Sequence, residues 1–169
     1  MDLTVMRRAR AAIDYGDLLV ALKAQTAPYE THPGDAAALQ EKWLDTICEW
    51  VHQGKGFSHR EMKAAMPKIA AEFAAIPVRR VPKVKVGVVG EIYVKYSPLG
   101  NNDLENFLAT QDCEVNLPGL MGFVQYCAYN PSETARLYGG SFLEKHISDL
   151  ILGYIAQMEK VIIHALKDN

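Results

Sequence analysis

The fold class is decided by the stretch Lys83-Val84-Lys85-Val86-Gly87-Val88-Val89-Gly90-Glu91-Ile92-Tyr93-Val94-Lys95-Tyr96, followed by Ser97-Pro98-Leu99-Gly100-Asn101-Asn102-Asp103-Leu104. Its valine-rich first part predicts a buried β-strand. A polar turn that carries Glu91 and the paired asparagines follows, and then a helix begins. Because ligands in open α/β sheets bind beyond the carboxyl ends of the strands, we expect any functional site of this chain at that turn.

A second strand is predicted downstream of this turn. Asn102 with Glu105 forms a cap pattern for a short helix, and the alternation in residues 113–117 is typical of a strand. Strand, helix and strand together predict a parallel, right-handed βαβ unit. Since two strands do not make a stable sheet alone, either helices cover the pair or the chain is part of something larger.

The residues before this unit predict helices. Apolar residues recur at helical spacing from Val5 to Leu22 and again in residues 39–51, where Asp35 is the expected cap. Ser58 and Glu61 form a capping-box pattern for a third helix, in which Pro67 is expected to kink or restart the chain.

Trp43 and Trp50 lie seven residues apart on one face of the predicted second helix. This spacing favours core or interface packing over stacking on nucleic-acid bases.

Prolines divide the chain into two predicted parts. Pro77 and Pro82 flank an extended connection, which separates a helical segment, residues 1–80, from a partial α/β lobe, residues 81–169. In the second part, a helix over residues 120–129 is expected to break at Asn130-Pro131. A long C-terminal helix is expected to begin at a capping box formed by Ser141 and Glu144.

Composition excludes several function classes. The chain has 18 Lys and Arg against 20 Asp and Glu, a formal net charge of −2, which argues against nucleic-acid binding. Because no apolar run reaches the roughly 18 residues of a membrane helix and no secretory signal is recognisable, we expect a cytoplasmic protein without a membrane partner. The three cysteines, Cys48, Cys113 and Cys127, lie far apart and predict reduced, buried thiols.

The turn supplies the candidate site residues. The glycines Gly87 and Gly90 do not have the spacing of a dinucleotide or phosphate loop, and they favour close approach of a neighbouring element. Glu91 follows an apolar run, so it must meet a partner, reach solvent or be protonated. A structural role, in which its carboxylate accepts hydrogen bonds from loop amides, is favoured over a catalytic one.

Three further side chains of the turn complete the candidate set of Gly90, Glu91, Tyr93, Asn101 and Asn102. Asn101 and Asn102 are expected first as turn and cap residues, because their amides bond to local backbone. Tyr93 is a candidate for lining a pocket. No residue of the chain is predicted to be catalytic or to bind a metal.

The chain resembles the activase-related, dehydratase-like proteins of the 2-hydroxyacyl-CoA (2-hydroxyglutaryl-CoA) dehydratase group. The resemblance lies mainly in residues 86–96 with Asn101-Asn102 and residues 104–108. It continues in residues 113–115, 117–120 and 123–126, and upstream in residues 26–30 and 42–43.

This resemblance implies flavodoxin-like α/β lobes joined by helices, and hence a helix-rich α/β fold with a helical N-terminal half, a small βαβ partial lobe and a long C-terminal helix. It also implies a system that uses a [4Fe-4S] cluster, ATP and an acyl-CoA substrate in anaerobic metabolism. The ATPase motifs and the cysteine-bearing segments of that group are not found in this sequence, so we expect no cofactor in this chain. The remaining domains of a parent protein and a dehydratase or activase are the expected partners.

The resemblance places the five candidate residues beside the cluster and acyl-CoA cleft, where they would shape or hydrogen-bond the cleft. Two alternatives stay open. One is a non-catalytic module whose βα turn docks on another protein, and the other is a flavodoxin-like binder of a phosphorylated cofactor.

Overall fold

The computed structural model describes residues 2–139 and 142–167, and over these residues the fold is mainly helical. The long helices are α1 (Leu3–Thr26), α2 (Asp35–His52), α3 (His59–Ala74), α7 (Leu120–Tyr138) and α8 (Phe142–Lys167). Short helices are α4 (Ile92–Tyr96), α5 (Pro98–Asn101) and α6 (Leu104–Thr110), and the strands are β1 (Lys85–Gly87) and β2 (Glu114–Asn116). The predicted helix-rich α/β class is confirmed.

The two strands form a parallel pair, as the sequence predicts. Val86 of β1 lies opposite Val115 of β2, and α4, α5 and α6 connect the strands. The β2 residues Glu114 and Val115 are buried.

The prediction of a buried first strand is wrong. Only three residues form β1, two of them are exposed, and Val89 just beyond it is 79% exposed. Three residues after the end of β1, Gly90 has a φ of +145°, a conformation open mainly to glycine. Glu91 then caps α4, so that Tyr93 and Tyr96 lie on a helix.

The core lies between α1, α2, α3 and the C-terminal end of α8. Its fully buried members include Tyr15, Leu18, Leu19, Met62, Met66, Ile69 and Phe73, and α8 contributes Val161 and Ala165. The rings of Trp43 and Trp50 meet edge to face with centroids 6.0 Å apart, which confirms that these residues serve packing. Residues from both sides of the predicted boundary at 77–82 thus share one core; the boundary itself stays a prediction.

Two predicted helix caps have different outcomes. The Ser58 and Glu61 capping box is present, with both reciprocal hydrogen bonds. The prediction that Asp35 caps α2 is wrong, because Gly34 occupies the N-cap position without a side-chain bond. Glu30, from the preceding loop, caps this end instead, and its Oε2 accepts a hydrogen bond from the Ala36 amide at 2.8 Å.

Helix α7 contradicts the predicted break at Asn130-Pro131, because it runs through Pro131 without interruption. A proline inside a helix removes one backbone hydrogen bond, but α7 packs along α8 and is held there by side chains. The Ser132 hydroxyl, for example, donates to Asp149 Oδ1 at 3.1 Å. The capping box predicted at Ser141 lies outside the described residues.

Candidate functional site

The predicted site is a turn, residues 88–103, that joins β1 to α6; we call it the βα turn. Glu91 Oε1 accepts a hydrogen bond from the Val94 amide at 2.9 Å, and the side chain is exposed. Glu91 is therefore the N-cap of α4, which confirms that its carboxylate accepts from a local amide.

Asn101 fixes the second half of the βα turn. Its Nδ2 donates to the Lys95 carbonyl and its Oδ1 accepts from the Leu104 amide, both at 3.2 Å. Asn102 and Asp103 have φ values of +55°, which short polar side chains tolerate. The prediction that Asn102 caps α6 is wrong, because the side-chain acceptor at this helix start belongs to Asn101.

Tyr93 packs against the next helix of the turn. A Cβ atom placed on Gly100 would lie only 2.8 Å from Tyr93 Cε1, so the missing side chain lets α5 approach the ring. Tyr93 is nevertheless 56% exposed. It braces the turn with one edge and leaves the rest of the ring in solvent.

The βα turn forms an exposed surface where a pocket was expected. None of the five predicted residues lines the cavity between α1 and the strands. Instead, Val89, Tyr93, Val94 and Leu99 expose apolar surface along the turn, and Leu99 is 85% exposed. The structure thus brings the predicted residues together in one braced turn, without a cavity between them.

A cavity of about 540 Å³ lies between the C-terminal end of α1 and the strands. Its polar lining comprises Gln25, Arg80, Lys85, Glu114 and Asn116. Lys85 Nζ lies 3.0 Å from Glu114 Oε1, and these two residues are paired across the parallel strands. The Arg80 guanidinium donates to the Gln25 carbonyl at 3.1 Å.

Tyr29 completes this polar cluster. Its hydroxyl donates to Glu114 Oε2, and the Arg80 guanidinium lies 4.7 Å above its ring. The hydrogen bond from Tyr29, joined by that from Lys85, holds the pKa of Glu114 below its usual range, although burial acts in the opposite sense. The bond to Glu114 also raises the pKa of Tyr29.

The cluster is therefore suited to a structural and electrostatic role. It is not suited to donating a proton from Glu114, since this carboxylate stays ionised at neutral pH. Sequence reasoning did not identify Arg80, Lys85 or Glu114 as members of a site. A signal was present, because aligning the two parallel strands places Lys85 opposite Glu114, and opposite charges at such positions attract.

The cysteines do not form a cluster site. Cys48 and Cys127 are exposed on α2 and α7, whereas Cys113 is half-buried just before β2, so the prediction that these thiols are buried is wrong. Within residues 2–139 and 142–167, no three His, Cys, Asp or Glu side chains are grouped so as to hold a metal ion. The described residues thus do not fit a [4Fe-4S] cluster.

Comparison with protein-family models, with curated proteins and with solved structures found no match for this chain. In the part of the chain that the structure describes, no helix has the length and apolar character needed to cross a membrane.

Proposed function

We propose that this chain is a non-catalytic domain of a dehydratase-like iron–sulfur protein of the 2-hydroxyacyl-CoA dehydratase group, and that its βα turn forms one wall of a cleft. The observation that carries the proposal is the contrast within this turn. Its backbone is braced by Glu91, Asn101 and the contact of Gly100 with Tyr93, yet Val89 and Leu99 are left in solvent.

A braced turn with exposed apolar side chains fits a surface that another domain or subunit covers. Exposed apolar patches commonly mark interaction sites, and surfaces that change little on association avoid the entropic cost of ordering. The side chains of Glu91 and Asn101 already bond to the backbone, so in this proposal they shape the wall and do not react.

In this proposal the cluster and the ATP belong to other parts of the system, because the described residues offer no fitting set of cysteines. The acyl-CoA would lie in the cleft that the turn helps to close. The resemblance in residues 86–108 supports this assignment. It also supports the finer proposal that β1, β2 and their connecting helices are part of a flavodoxin-like lobe.

A docking module without a role in the reaction is the second candidate, and the exposure of Leu99 favours it. Two variants of the assembled parent enzyme distinguish these candidate functions. Asn101→Ala removes two hydrogen bonds inside the turn, whereas Leu99→Asp leaves the bracing intact and charges the exposed surface.

The experiment compares turnover of 2-hydroxyacyl-CoA with assembly, measured by size-exclusion chromatography under anaerobic conditions. The cleft proposal expects Asn101→Ala and Glu91→Gln to lower turnover at least tenfold while assembly stays normal. Full turnover in both variants contradicts it. Loss of assembly in Leu99→Asp, with turnover unaffected by the turn variants, supports docking alone; Leu44→Asp, on the exposed side of α2, is the matched control.

A further inference from the structure

The cavity between the C-terminal end of α1 and the strands lies against one face of the strand pair. Residues at every second position of a strand share a face, and Lys85 and Gly87 of β1 and Glu114 and Asn116 of β2 all line this space. Its volume of about 540 Å³ is typical of small-molecule sites, which measure roughly 300 to 1,000 Å³. We call this space the strand-face cavity.

Gly87 leaves part of the strand-face cavity open without a reason in the fold. Among the described residues, a Cβ atom built on Gly87 would have no neighbour within 4 Å, so the close neighbour that the sequence predicts here is not present. The residue is also not one of the glycines with a positive φ. Glycine weakens a strand, and it often marks a place where a ligand approaches the backbone. This position therefore indicates a bound molecule.

The charges that line the cavity favour an anion. Arg80 and Lys85 are cations, and Glu114 is the one carboxylate among the described lining residues. That carboxylate is already satisfied, because one oxygen accepts from the Tyr29 hydroxyl and the other lies 3.0 Å from Lys85 Nζ. A ligand in the cavity therefore meets an excess of positive charge, which attracts an anion.

Arg80 has hydrogen-bond donors left for such an anion. Its Nη1 donates to the Gln25 carbonyl at 3.1 Å, and the guanidinium lies 4.7 Å from the centre of the Tyr29 ring. These contacts orient the guanidinium but leave most of its N–H donors unused. Within the described residues, Arg80 forms no ion pair. An oriented guanidinium of this kind binds a carboxylate through two parallel hydrogen bonds.

The rest of the lining suits an apolar group. Ala21 and Ala24 of α1 line the cavity together with Val115 and Leu117, and small-molecule sites typically combine such apolar walls with a few polar groups. Two cations and one carboxylate leave a single positive charge. This excess matches the single charge of a carboxylate better than the nearly double charge of a phosphate ester.

We propose that the strand-face cavity binds a small carboxylic acid with an apolar body. The carboxylate pairs with Arg80 and Lys85, and the apolar body lies over Gly87 and against the alanines of α1. This site is independent of the function proposed for the βα turn, because none of the five candidate residues of the turn lines the cavity.

The proposal is tested on the 169-residue chain by titration with benzoate, followed in ¹H–¹⁵N correlation spectra. We expect the amide signals of residues 85–87 and 114–117 to shift with a dissociation constant of about 1 mM. Benzamide has the same shape without the charge, and it should bind about tenfold more weakly or worse. The proposal is wrong if benzoate gives no saturable shift at about ten times that concentration, if benzamide binds equally well, or if phenyl phosphate binds more tightly than benzoate.

Two variants test the location of the site. Arg80→Gln removes the partner of the carboxylate, and Gly87→Val fills the space over β1, so each should weaken benzoate binding by about tenfold or more. Far-UV circular dichroism should show that Gly87→Val folds, because valine favours strands and its Cβ would meet no neighbour.

Arg79→Gln is the matched control, since Arg79 is an exposed arginine next to Arg80 that does not line the cavity. It should leave the affinity for benzoate unchanged. Equal weakening by Arg79→Gln and Arg80→Gln would contradict the proposal, because the attraction would then be a general effect of surface charge. Wild-type affinity in both cavity variants would contradict it as well.

Discussion

The buried carboxylate of Asp14, on α1, lies next to Arg10. The contact between the two side chains is too long for a hydrogen bond. The residue is 2% exposed, and its Oδ2 lies 3.7 Å from Arg10 Nε. Among the described residues, neither Oδ2 nor that Nε has a hydrogen-bond partner. Burial therefore outweighs the attraction of Arg10, and it raises the pKa of Asp14 from 3.8 to about 6.

This pKa makes Asp14 destabilising at neutral pH. The folded chain binds the proton more tightly than the unfolded chain, so the contribution of Asp14 to stability is greatest below pH 3.8 and falls as the pH rises to about 6. The whole change corresponds to about 3 kcal/mol, of which about 2 kcal/mol falls between pH 4 and pH 7.

The change is isolated by comparing the wild type with Asp14→Asn, because asparagine does not titrate. Urea unfolding, followed by far-UV circular dichroism at pH 4, 5.5 and 7, gives the free energy of unfolding of each protein. Carboxylates such as Glu61 and Glu114, whose pKa values are lowered by hydrogen bonds from Ser58 and Tyr29, change stability in the opposite sense. The pH dependence of the wild-type free energy of unfolding therefore does not by itself isolate the contribution of Asp14.

We expect the free energy of unfolding of Asp14→Asn to rise by about 2 kcal/mol relative to that of the wild type between pH 4 and pH 7. Asp45→Asn, an exposed position on α2, controls for the change of functional group and should run parallel to the wild type. A constant difference between Asp14→Asn and the wild type would refute the reasoning, because burial would then not have raised the pKa.

Three further variants test how the core and the strands are held. Asp17 accepts hydrogen bonds from the first two amides of α7, both at 2.8 Å, so Asp17→Ala should lower the free energy of unfolding by about 1 to 2 kcal/mol, as measured in urea. Phe73→Ala leaves a cavity in the core and should cost about 3 to 5 kcal/mol, enough to shift the thermal midpoint by more than ten degrees or prevent folding. Tyr29→Phe removes a donor from the buried Glu114 carboxylate and should cost about 1 to 3 kcal/mol at pH 7, but less once the pH falls far enough for that carboxylate to take up a proton; a cost that does not change as the pH falls would contradict its pairing.

The elements that local interactions specify were predictable from the sequence. The Ser58 and Glu61 capping box needs only residues three apart, and it is present. The parallel pair of strands followed from hydrophobic alternation and from the length of the connection between them. Glu91 as an acceptor for loop amides was likewise visible, because a cap interacts with its own helix.

Predictions failed where a distant residue supplies what the local sequence lacks. The packing of α7 on α8 keeps a helix intact through Pro131. The expected cavity at the βα turn is an exposed surface, whereas the described cavity forms between the end of α1 and the strands. Each of these features depends on contacts between residues far apart in the chain.

The sequence by itself determined the helical periods and the valine-rich stretch that sets the fold class, because these depend on neighbours within a few residues. Tertiary structure alone decided which part of each apolar face is covered. Apolar residues recur at helical spacing all along α8, yet α1 and α3 bury Val161 and leave Leu150 in solvent. Burial is a property of what packs against a residue, and no local pattern specifies where a neighbouring helix ends.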